Sequence, residues 1–201
     1  MSIPQNRLSD EPVPAPYIPP DDLVHALNED WERGPIAVND SSGGMANQDW
    51  KLTFSGGVFT VTPQTTGSPT DYLSGIDSIQ CSFCFDQNAQ PNIAWIDSSN
   101  IGHLYWYDTQ NAMFDTLDLV TPVFGIALTL DDKRPREVRI NDILLFYTIA
   151  SGGGHALQHR RQRDRYTDIY PLADPVWPYI HKLGMHEALR VQISLSTAPP
   201  V

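Results

Sequence analysis

Two stretches of this chain share one rhythm, and that rhythm confines it to β structure. The first runs Ile79-Gln80-Cys81-Ser82-Phe83-Cys84-Phe85-Asp86, then Asn92-Ile93-Ala94-Trp95-Ile96-Asp97, then His103-Leu104-Tyr105-Trp106-Tyr107-Asp108. The second runs Gly125-Ile126-Ala127-Leu128-Thr129-Leu130-Asp131, then Asn141-Asp142-Ile143-Leu144-Leu145-Phe146-Tyr147, then His155-Ala156-Leu157-Gln158-His159-Arg160. Each is an apolar strand, an Asp turn, an apolar strand, a turn with Gly or Asn, and a third apolar strand. Side chains that alternate with period two line opposite faces of a sheet and cannot form a helical stripe. Asp86 and Asp131, which close the two first strands, stand 45 residues apart, about the length of a propeller blade. The two stretches therefore read as divergent copies of one antiparallel unit.

A partial third copy precedes them. Trp50, Leu52 and Phe54 alternate with polar residues, Gly56-Gly57 makes a tight turn, and residues 58–62 return. The expected fold is all-β: antiparallel sheets built from two or three propeller-blade-like units, open or sandwich-like, because so few blades cannot close a propeller. Leu189, Val191, Ile193 and Leu195 alternate as a closing strand. The β domain is expected over 35–196, with a loose tail at 197–201.

Two other segments come first. Residues 1–20 contain Pro4, Pro12, Pro14, Pro16, Pro19 and Pro20. Proline removes donors and fixes φ, so an extended arm is expected, with Tyr17 and Ile18 as its apolar anchors. Asp21-Asp22 then precede Leu23, Leu27 and Trp31 at helical spacing, which predicts a short helix over 22–33 ended by Gly34-Pro35.

The 41% apolar content, with 17 Pro and 13 Gly, suits short strands joined by many turns. No run approaches the roughly 18 apolar residues that span a bilayer, and no basic-then-apolar leader marks the N-terminus, so synthesis in a reducing cytoplasm is expected. The net charge of −11 is unevenly spread: residues 1–132 hold three Lys and Arg against 18 Asp and Glu, and residues 133–201 hold ten against six. An acidic whole argues against general nucleic-acid binding. Opposite-signed halves can pair within one chain or between copies.

Each candidate for chemistry has a structural competitor. Cys81 and Cys84, three apart on a strand, point to opposite faces and cannot share a metal, so they read as buried structural cysteines. His155 and His159, and His181 and His186, lack the glutamate and helix of a zinc-protease motif. Asp86, Asp97, Asp108, Asp131 and Asp142 recur at strand ends, where Asp caps turns more often than it binds cations or acts as a glycosidase pair. No catalytic, metal or cofactor residue is assigned. The most individual stretch is Arg160-Arg161-Gln162-Arg163-Asp164-Arg165-Tyr166. Read as a strand over 157–166, it lines Arg161, Arg163 and Arg165 on one face. They would form an anion site or, in the favoured reading, pair with Asp turns, Asp131-Asp132 among them, within the chain or between chains.

The words Leu128-Thr129-Leu130-Asp131-Asp132-Lys133-Arg134 and Gln162-Arg163-Asp164-Arg165-Tyr166, with Gly34 to Asp40, Gln48 to Thr53, Phe85-Asp86-Gln87-Asn88, Leu104 to Asp108 and Asp142 to Tyr147, resemble a family of small virion structural proteins of tailed bacteriophages. The likeness covers residues 34–195, and its strand–Asp-turn rhythm is similar to sialidase-like propeller blades. It implies a non-enzymatic tail or neck component, made in the host cytoplasm and carried in the virion. Its partners would be other copies and other virion proteins, met through Tyr17, Ile18, Leu23, Leu27, Trp31, Arg161, Arg163 and Arg165. The alternative is a carbohydrate-binding module of a tail spike or fibre, using Trp95, Tyr105, Trp106, Tyr107 and Trp177 on a surface glycan.

Overall fold

A computed structural model describes residues 33–37, 48–63, 67–86, 90–131, 142–186 and 190–198. The proline-rich arm and all but the last residue of the expected helix, with Tyr17, Ile18, Leu23, Leu27 and Trp31, lie outside the described residues.

The described chain is all-β and antiparallel. Strands β1 (Arg33–Ala37), β2 (Gln48–Ser55), β3 (Val58–Pro63) and β4 (Thr70–Tyr72) form a four-stranded sheet in sequence order. Arg33, Gly34 and Pro35, expected to end a helix and begin a loop, lie instead in β1. Proline is tolerated there because β1 is an edge strand and its register slips between Gly34 and Ala37. The β2–β3 turn is as expected: Ser55 faces Val58, and Gly56 and Gly57 take φ of +58° and +80°, the pair of positive values a two-residue type I′ hairpin needs.

A second sheet holds seven strands, each hydrogen-bonded to its sequence neighbours: β5 (Gln80–Phe85), β6 (Pro91–Ile96), β7 (Ile101–Asp108), β8 (Met113–Asp131), β9 (Asp142–Ser151), β10 (Gly154–Arg161) and β11 (Tyr170–Val176). Strand β8 has 19 residues and serves both units of the sequence repeat. Its first part pairs with β7 and its second with β9, with register shifts between Leu119 and Pro122 and between Val123 and Gly125. Such irregularities bend a strand, and here the sheet folds back on itself. Cys84, Ala94, Ile96, Leu104 and Trp106 of the first unit meet Ile126, Leu128, Ile143, Leu145 and Tyr147 of the second in one central core. Two side chains also tie β5 to the far half of β8. Ser82 Oγ accepts from the Leu128 N–H at 3.0 Å, and Gln80 Nε2 donates to the Ile126 carbonyl at 3.3 Å.

Both outer faces of the folded sheet are covered. Leu52, Phe59 and Val61 pack on Cys81, Phe83, Phe85, Ile93 and Trp95 of the first unit. The hairpin of β12 (Tyr179–His186) and β13 (Arg190–Ser196) packs Ile180 and Leu183 on Ala127, Leu144, Phe146 and Leu157 of the second. The result is four layers. Cys81 and Cys84 point to opposite faces, as the spacing requires, and both are buried because β5 has a core on each side. At Gly125 the chain leading into the outer hairpin comes close: a Cβ there would lie 2.6 Å from the Ile180 nitrogen and 3.1 Å from the Pro178 carbonyl oxygen.

Candidate functional site

The antiparallel order brings Asp86, Asp108 and Asp142 to one end of the sandwich, where a single segment meets all three. The strand expected over 157–166 stops at Arg161. Gln162–Asp164 forms a 3-10 turn, and Arg165 and Tyr166 follow with φ of +53° and +56°. The Arg163 N–H donates to Asp142 Oδ1 at 3.0 Å, and the Tyr166 N–H donates back to the Arg161 carbonyl at 2.8 Å. The turn delivers Tyr166, fully buried, into the central core. Its ring stands edge-on to Trp106 at 5.2 Å, and its hydroxyl donates to buried Asn92 Oδ1 at 3.2 Å. Burial of this ring and the waiting acceptors on three strand ends outweigh the extended preference of the preceding residues.

The arginines divide accordingly. Arg165 reaches Asp108, and Arg163 Nε lies 3.3 Å from Asp142 Oδ2. Arg160 donates to the Tyr147 hydroxyl and the Tyr166 carbonyl. Arg161 stays on β10, with its guanidinium 4.4 Å from the Tyr170 ring centroid and Nε donating to His159. They do not line one face, and the carboxylates of Arg163 and Arg165 are Asp142 and Asp108. Asp132 lies outside the described residues, and so does the side chain of Asp131. Gln162 Nε2 completes the set by donating to Asp86 Oδ2 at 3.3 Å.

Asp86, Asp97 and Asp108 cap their own turns. Asp86 accepts from the Gln90 N–H, Asp97 from the Ser99 and Ile101 N–H groups, and Asp108 from the Gln110 N–H. Burial raises the Asp108 carboxyl, but the Gln110 N–H, Arg165 and Asn111 together hold it below the ordinary carboxylate range. A glycosidase acid needs the opposite shift. Asp97 is held down in the same way, its burial outweighed by the Ile101 N–H, His103 and the Ser99 N–H. Because the folded pKa values are depressed, the stability from these groups is fully present above the ordinary carboxylate range. It is lost as pH falls through the lower folded values. The urea midpoint should therefore hold on acidification to that range and then drop. In Asp108→Asn the drop should be shallower, and an equal drop would show that Asp108 carries none of it.

On the outer face of β7 and β8, His103 bridges Asp118 (Nδ1 to Oδ1, 2.7 Å) and Asp97 (Nε2 to Oδ2, 3.3 Å), with Trp95 stacked on its ring at 4.9 Å. Beyond it Tyr72, Tyr105, Phe114 and Tyr107 form a row. Tyr105 and Phe114 lie face to face at 4.7 Å and 6°, and Tyr107 sets an edge against Phe114. Trp95 and Trp106 are buried, and the rings of the row cover one another. Of the five aromatics named for glycan stacking, Trp177 alone is largely free, at 59% exposed.

Trp177 marks the remaining feature. It lines an apolar groove of about 470 Å³ with Pro175, Val176 and Leu195. Leu172 on β11 and Ile169 just before it are about half exposed. Strand β11 went unread in the sequence because Pro171 and Pro175 break its pattern; it is the last strand of the large sheet, where proline is tolerated. Among the described residues no group of three or more His, Cys, Asp or Glu could hold a metal ion, and no helix is long and apolar enough to cross a membrane. No family model, curated protein or solved structure matches this chain.

Proposed function

We propose that the protein is a structural, non-enzymatic subunit of a tailed-phage particle, in the tail or neck, that assembles through its N-terminal segment and its sheet edges. It would be made in the host cytoplasm and end in the virion beside other copies and other virion proteins. The observation that carries this reading is the exposed Trp177 in an apolar groove with Pro175, Val176 and Leu195, on an edge strand, β11, that also exposes Leu172. Contiguous exposed apolar surface marks places where proteins meet. The strand-end carboxylates fit a scaffold role, since they serve as turn caps and ion-pair partners. The sugar-binding reading would rest on Trp177.

The test is the solution mass by light scattering, for the whole chain and for a chain lacking residues 1–32. Truncation stops there because Arg33 pairs with Lys51 in β1. A defined oligomer should fall to a monomer with its β-type circular dichroism retained. A number of chains per particle that does not change on truncation would overturn assembly through this segment.

A further inference from the structure

A strand at the edge of a sheet presents N–H and C=O groups that lack a ladder partner, and proteins blunt such edges with prolines, bulges or very short strands. Most edges among the described residues are blunted in this way. Strand β1 carries Pro35 and a register slip, β11 carries Pro171 and Pro175, and β4 has three residues. Strand β5 is tied across to β8 through Ser82 and Gln80. In the outer hairpin β12 is bulged at His181, since Ile180 and Lys182 face the consecutive residues Leu195 and Ser194. Strand β13 differs. It runs seven residues, Arg190 to Ser196, without a proline, a lysine or an extra residue. Among the described residues it pairs with β12 alone. Ile193 and Leu195 pack on the core of the second unit but are only partly buried, as befits the last strand of a layer.

The sequence of β13 is complementary to itself. Turned antiparallel about Ile193, it sets Ile193 opposite Ile193, Val191 opposite Leu195, Gln192 opposite Ser194 and Arg190 opposite Ser196. Residues directly opposed across an antiparallel pair share a face. Apolar positions therefore meet apolar ones, polar positions meet polar ones, and the two Arg190 positions stay apart. A slip of one residue would set apolar against polar along the whole strand. Building on the assembly reading, we infer that β13 pairs antiparallel with β13 of a second copy of this chain, joining two outer hairpins into one four-stranded sheet. The pairing is isologous, so each copy occupies the other's open edge and growth through this edge stops at two chains. An unrelated strand finds the same backbone but not the matching order of side chains. One pair of seven-residue strands buries less surface than a stable interface needs, so the contact forms within the oligomer that the N-terminal segment holds.

The experiment uses two variants of the full chain, Gln192→Cys and Ser194→Cys, mixed in equal amounts, equilibrated under reducing conditions and then mildly oxidised. Directly opposed positions lie about 5 Å apart, within disulfide reach, whereas like positions are diagonal neighbours at about 8 Å and beyond it. The mixture should therefore give a covalent dimer joined through positions 192 and 194, and either variant alone should give little. Peptide mapping assigns the bond and sets aside Cys81 and Cys84, which are buried. Arg190→Cys mixed with Ser196→Cys reads the same register at the strand ends and serves if circular dichroism shows that the first pair disturbs the fold. Covalent dimer no more abundant in the mixtures than in the single variants, or joined through other positions, would overturn the inference. The assembly reading is scored separately, by the number of chains per particle with and without residues 1–32. An oligomer that is lost on truncation but lacks the 192–194 bond overturns the inference alone.

Discussion

Replacing Tyr166 by Ala should lower the free energy of unfolding by about 3–5 kcal/mol, the usual loss for deleting a buried aromatic ring. The ring is fully buried, joins the central core that unites both units, and packs edge-on to Trp106. Its loss leaves a void where strands from both units meet and takes the donor from buried Asn92. The turn that carries it also presents Arg163 to Asp142 and Arg165 to Asp108, so that end of the sandwich should loosen as a unit. Tyr166→Phe separates the two contributions. It keeps the ring, removes the hydrogen bond, and should cost about 1–3 kcal/mol through the unsatisfied amide oxygen. Urea unfolding of the three proteins measures both steps. An Ala variant as stable as the parent would show that the turn merely lies on the fold.

The second large effect is expected at Gly125. A methyl group there would meet main-chain atoms of Ile180 and Pro178 and the Thr148 hydroxyl oxygen, and main chain cannot swing aside as a side chain can. Gly125→Ala should cost about 1–3 kcal/mol, the range for overpacking a filled site. The loss should fall first on the outer hairpin. Ile180 and Leu183 would lift from Ala127 and Phe146, and the bond from Thr148 Oγ1 to the Pro178 carbonyl would break. Hydrogen exchange should show β12 and β13 losing protection before β5–β9. Unchanged exchange in that hairpin would mean the contact has room to relax.

Much of the β framework was legible because alternation reports which face a residue takes. In β5, Cys81, Phe83 and Phe85 share one core and Cys84 faces the other. Strand β6 is buried throughout, yet its parity still separates Ile93 and Trp95 from Ala94 and Ile96. The first half of β8 was not legible, because its outward positions are Phe114, Thr116 and the exposed Asp118 and it buries little. The turn at residues 162–166 was hidden for a different reason. Its shape is set by acceptors on Asp86, Asn92, Asp108 and Asp142, which are 20 to 80 residues away in sequence, and local propensity carries no trace of them. The apolar groove joins Leu195 to Pro175 and Val176 of β11, and only the tertiary fold brings these together.

The nearest-neighbour order of the large sheet also bears on how the chain can find its fold. Each pairing from β5 to β11 joins strands adjacent in sequence, so each closes a short loop, and loop-closure entropy rises only slowly with length. Pairings of this kind keep the sheet's own ladder local, which favours faster folding than non-local strand pairing would. The long-range closures are the three apolar cores and a set of side-chain bonds, among them Ser82 on the Leu128 amide, Gln162 on Asp86 and Tyr166 on Asn92. A chain built this way can zip its meander through local turns and use the apolar cores, with these distant bonds, to fold the sheet over and hold it.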